Sequence, residues 1–76
     1  MDNTQQLVEW MEHNGYSNRT LAEALDLSYD LLYKVTTGER QPSEGFRWRF
    51  AKRFGFDVAE RLFGADAPRD LAAEAA

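Results

Sequence analysis

Every apolar-periodic stretch of this chain has a serine just ahead of it or a glycine just behind it, and that punctuation restricts the fold to a set of short helices. Ser17, Ser28 and Ser43 each precede a helical stretch by one residue, where a hydroxyl can accept a bond from an orphaned backbone N–H. Gly15, Gly38, Gly55 and Gly64 fall where such stretches should stop, because a residue without Cβ takes the left-handed terminal conformation freely. No segment alternates apolar and polar residues for long enough to predict a half-buried strand. The expected fold is all-α, a compact five-helix bundle with helices over about 4–14, 18–25, 29–37, 44–54 and 58–63.

The helical faces predict which residues meet. In the fourth helix Phe46, Phe50, Ala51 and Phe54 recur at the spacing that lines one face, and they are expected to floor the core. Leu21, Ala22 and Leu25 share a face of the second helix, Leu32 and Val35 a face of the third, and Leu27 lies between them. Two helices meeting at a steep angle across a three- or four-residue turn bury all of these together, with Ala22 small where the helices cross. The outer side of the third helix is then left to Tyr29, Asp30, Tyr33, Lys34 and Thr37, and Trp48 is either core or an exposed anchor for a second subunit.

Seventy-six residues allow one domain with a modest core and no deep substrate cavity, so function is expected on the surface. Residues 1–64 are expected to form the domain, and the alanine-rich tail over 65–76 is either a frayed helix or ordered only by a partner. The chain has no cysteine, which excludes a disulfide framework, a thiolate nucleophile and sulfur-ligated zinc. His13 is the only histidine, too few for a zinc site or for the base of an oriented serine triad, so no enzyme, metal or cofactor is expected. The polar start Met1-Asp2-Asn3-Thr4 has no signal-peptide character and no apolar run is long enough to span a bilayer. A cytoplasmic location is therefore expected.

Charge is unevenly distributed. The formal net charge is −4, yet residues 28–54 carry six Lys and Arg against three acids, while five acids face Arg19 alone in residues 1–27 and five face Arg61 and Arg69 in residues 55–76. A basic middle flanked by acidic ends is compatible with a polyanionic partner on one side of the molecule.

Three segments in this order and spacing carry a family resemblance: residues 17–28 (SNRTLAEALDLS), residues 38–43 (GERQPS) and residues 50–56 (FAKRFGF). Together they resemble the Cro/CI-like, Xre-type helix-turn-helix family, over roughly residues 4–63. The resemblance implies a lambda-repressor-like domain acting as a sequence-specific transcriptional regulator, a repressor of phage, plasmid or bacterial origin, bound to double-stranded DNA. It implies that the third helix enters the major groove with Ser28, Tyr29, Asp30, Tyr33 and Lys34 toward base edges. Asn18, Arg19, Thr37, Arg40 and Arg47 would contact the phosphate backbone. Lys34 can donate to guanine, Asp30 can accept from cytosine N4, and the tyrosine rings can touch a thymine methyl.

A homodimer on a palindromic operator is expected, since one recognition helix offers few contacts, with Val58, Leu62 and Phe63 as the dimerisation residues. The chain departs from the family pattern at Asp26, where the turn usually has glycine, and at Thr36 and Met11, where a neutral pair replaces an ion pair. The aromatic outer side of the third helix supports a second function class: a protein-interaction module, such as an anti-repressor or adaptor, using Tyr29, Leu31, Tyr33 and Trp48.

Overall fold

The hydroxyls of Ser17, Ser28 and Ser43 accept from the backbone N–H three residues on, at 3.2, 3.2 and 3.1 Å, so each opens a helix with one orphan donor satisfied. In the computed structural model, which describes residues 3–68, these helices are α2 (Asn18–Leu25), α3 (Tyr29–Thr36) and α4 (Glu44–Phe54). They are preceded by α1 (Asn3–Asn14) and followed by α5 (Phe56–Phe63) and one 3-10 turn, Gly64–Asp66. There is no strand among the described residues.

All five expected helices are present, and their ends differ for local reasons. Thr37 caps α3 instead of belonging to it. Helix α5 begins at Phe56, two residues before the expected start, because Gly55 is at once the C-cap of α4 and the N-cap of α5. Its φ of 114° and ψ of 144° turn the chain with no intervening loop, a conformation that only glycine adopts readily.

The core draws on every helix: Leu7 and Met11 from α1, Leu21, Ala22 and Leu25 from α2, Leu32 and Val35 from α3, Phe46, Phe50 and Ala51 from α4, and Ala59, Leu62 and Phe63 from α5. Phe50 is fully buried, with its ring 4.9 Å from Trp10 and from Phe54 and 5.5 Å from Phe63. Phe54 is only half-buried and shares this aromatic cluster with Trp10 and Tyr16. Trp48 is half-buried against Phe56, an intermediate between the two placements expected for it. Ala67 also packs on the core, so the packed body runs past residue 64, and the rest of the expected tail, 69–76, lies outside the described residues.

One expectation is corrected here. Leu62 and Phe63 are 7% and 2% exposed, and Phe63 meets the rings of Phe46 and Phe50, while Val58 is half-buried against the same core. Helix α5 folds back on α1 and α4, so Leu62 and Phe63 are spent inside the monomer, and of the three expected dimerisation residues Val58 alone keeps part of its side chain open.

Helices α2 and α3 are joined through Asp26, Leu27 and Ser28. Asp26 takes φ 57°, ψ 45°, the single described non-glycine residue at positive φ. The Asp26 N–H donates to the Glu23 carbonyl and the Leu27 N–H to the Ala22 carbonyl at 2.8 Å, the paired bonds of a Schellman ending. A left-handed residue with a Cβ is strained by roughly 1–2 kcal/mol, less for aspartate. The carboxylate recovers little, because its contact to the Arg49 guanidinium is 3.9 Å and the side chain is fully open to solvent. Asp26→Gly is therefore expected to stabilise the fold by about 0.5–1 kcal/mol, raising the thermal midpoint by roughly 2–8 °C. A midpoint lowered by this substitution would show that the carboxylate contributes more than its backbone conformation costs.

Candidate nucleic-acid interface

With Leu32 and Val35 turned into the core, α3 shows its other side to solvent. Ser28, Tyr29, Asp30, Tyr33 and Lys34 are all exposed, as the sequence predicts, while Leu31 is half-buried against the core. Tyr29 and Tyr33 are the large apolar residues left open among the described residues, at 54% and 48% exposure. One turn apart, their rings lie 6.4 Å centre to centre and 25° from parallel, forming one aromatic patch.

Beside them Lys34 Nζ lies 3.1 Å from Asp30 Oδ2. An acid in the first turn and a base four residues later both suit the helix dipole, but the pair is solvent-exposed and contributes only a few tenths of a kcal/mol. Its effect is electrostatic: the central part of the α3 surface is nearly neutral.

The backbone-contacting candidates divide into two groups. Asn18 opens α2, and its Oδ1 accepts from the Thr36 hydroxyl at 3.0 Å, a proton shared with the Leu32 carbonyl at 2.9 Å. This bond ties the start of α2 to the last turn of α3 and leaves the Asn18 Nδ2 as a donor. Arg19 is exposed next to it and makes no ion pair among the described residues. The Arg40 backbone N–H donates to the Lys34 carbonyl at 3.1 Å, which hangs the chain after α3 on that helix and brings exposed Arg40 to the same end. Asn18, Arg19, Lys34 and Arg40 are thus gathered around one end of the α2–α3 pair.

Two candidates are committed elsewhere. The Thr37 hydroxyl donates to the Tyr33 carbonyl at 2.9 Å, which leaves only acceptor lone pairs toward an anion. Arg47 is half-buried, its Nη1 donates to the Pro42 carbonyl at 2.6 Å, and it lines a groove with Glu44, Trp48 and Pro68. It braces the loop between α3 and α4 and is not brought to the α2–α3 surface.

Arg49 Nη1 crosses from α4 to donate to the Leu25 carbonyl at 3.2 Å, satisfying an orphan acceptor at the end of α2. Half of its side chain stays in solvent beside the turn. No local signal marks this role, because the partner is 24 residues away and Arg49 sits among other cations on the polar side of α4.

Among the described residues there is no cluster of three potential metal ligands and no helix long and apolar enough to cross a membrane. No protein-family model, no curated protein and no solved structure matches the chain.

Proposed function

We propose that this chain is a sequence-specific duplex-DNA-binding domain of the helix-turn-helix type, a transcriptional regulator that sets α3 in the major groove. The observation that carries the reading is the uncovered side of α3, held out by a short turn and braced by α2 through the Asn18–Thr36 bond. Charge supports it as well. The cations Arg19 and Arg40, with the Asn18 amide, collect at one end of the pair, and Arg49 stands at the other, as a groove-bound helix flanked by two phosphate strands requires. The net charge of −4 does not oppose this, since attraction depends on the local distribution of charge.

A single α3 presents few side chains to base edges, so specific affinity calls for two copies on half-sites about 34 Å apart. With Leu62 and Phe63 inside the core, the second copy is recruited by DNA or by a surface that does not use those two side chains.

The test is selection of bound sequences from random duplex DNA, which is expected to recover a palindrome. Arg40→Ala should then weaken binding to the recovered duplex and to other sequences alike, and make the slope of log affinity against log salt shallower by about 2 for two copies. Its stability should change by less than about 0.5 kcal/mol, because the residue is exposed.

The open Tyr29–Tyr33 patch and the neutralised Asp30–Lys34 pair favour a second reading, an aromatic protein-docking face. In that case selection recovers no motif.

A further inference from the structure

We infer that α3 recognises thymine through its C5-methyl groups, with Tyr29 and Tyr33 as the contacting side chains. The inference rests on the duplex-DNA reading above and names what that site selects. Of the side chains on the outer face of α3, the charged ones are already partnered: Lys34 Nζ lies 3.1 Å from the Asp30 carboxylate. A bidentate grip on guanine by Lys34 requires that bridge to open, and it leaves Asp30 unpaired next to a polyanion. The tyrosine rings have no such commitment. Each is half open to water, and together they present the largest uncovered apolar surface among the described residues.

In the major groove the four bases offer hydrogen-bond donors and acceptors, but only thymine adds an apolar projection, its C5-methyl. An apolar ring face therefore discriminates thymine from the other bases by burial. The charge arrangement fits the same occupant, with a neutral aromatic centre against base edges and Arg19, Arg40 and Arg49 at the ends against phosphates. The 6.4 Å between ring centres is close to two base-pair rises of about 3.4 Å. The two rings thus span a window of about three base pairs, and each half-site is expected to hold thymines at two positions within it.

The experiment compares a duplex recovered by selection from random DNA with the same duplex synthesised with deoxyuridine for thymidine. This replacement removes the methyl and leaves every donor and acceptor in place. Wild-type affinity should fall about fourfold for each contacted methyl, or roughly 200-fold for the four methyls met by two copies on a palindrome. Tyr29→Phe and Tyr33→Phe should keep this discrimination, since the ring and not the hydroxyl makes the contact, whereas the double alanine variant should bind both duplexes equally. Both tyrosines are exposed, so the variants are expected to fold. Equal wild-type affinity for the two duplexes overturns methyl recognition and leaves the DNA reading standing. Failure to bind any duplex in dilute salt overturns both.

Discussion

Phe50→Ala is expected to remove about 3–5 kcal/mol of the fold's stability. The ring has no solvent exposure and joins three helices, through Trp10 of α1, Phe54 of α4 and Phe63 of α5. Removing a buried phenylalanine ring costs about 3–5 kcal/mol, the transfer of its surface plus the cavity left behind. A domain of this length is stable by only about 4–11 kcal/mol in total, so the loss takes from about a quarter of that stability to all of it. Circular dichroism during urea unfolding provides the readout. The urea midpoint should fall by at least about 1 M for alanine, while Phe50→Leu, which keeps most of the volume, should fall by much less. A normal midpoint for the alanine variant would mean that the aromatic cluster does not hold α1, α4 and α5 together.

The second large effect is electrostatic. Three cations flank the α2–α3 pair, Arg19 and Arg40 at one end and Arg49 at the other, which gives six phosphate contacts for two copies on a palindrome. Each released counterion contributes about −0.9 to the slope of log affinity against log salt, so six give a slope near −5. Affinity for the selected duplex should then drop roughly 1,000-fold between about 50 and 200 mM salt. Replacing Arg19 and Arg40 together with alanine should make the slope shallower by about 4 and weaken binding to all sequences alike. If binding persists with a flat salt response, the contact is aromatic and the partner is a protein.

The local signals in this chain proved readable wherever one residue decides the outcome. A serine hydroxyl has few alternatives to capping when it stands just before an apolar-periodic run, and Ser17, Ser28 and Ser43 all cap. The faces formed by Leu21, Ala22 and Leu25 and by Leu32 and Val35 are buried as their spacing predicts, because periodicity reports directly on which side of a helix meets the core. The exposed set on α3 follows by complement.

What could not be read depends on contacts between distant segments. Arg47 and Arg49 look alike in sequence, two cations on one helix, yet one grips the Pro42 carbonyl and the other the end of α2. Leu62 and Phe63 read as a subunit interface in the sequence, yet the tight turn at Gly55 returns α5 onto α4 and both are buried in the core. The Asp30–Lys34 bridge lies between those extremes. Its spacing of four was visible, but its consequence depends on both residues standing on the candidate reading face.

The central claim is that the outer side of α3 is the surface that meets duplex DNA, and amide NMR of the labelled protein during titration with the selected duplex tests it most directly. The largest shifts are expected at Tyr29, Asp30, Tyr33 and Lys34, with smaller ones at Asn18, Arg19 and Arg40 and none along α5. Saturating shifts confined to α5 or to the α4 groove, with α3 unmoved, would contradict the account.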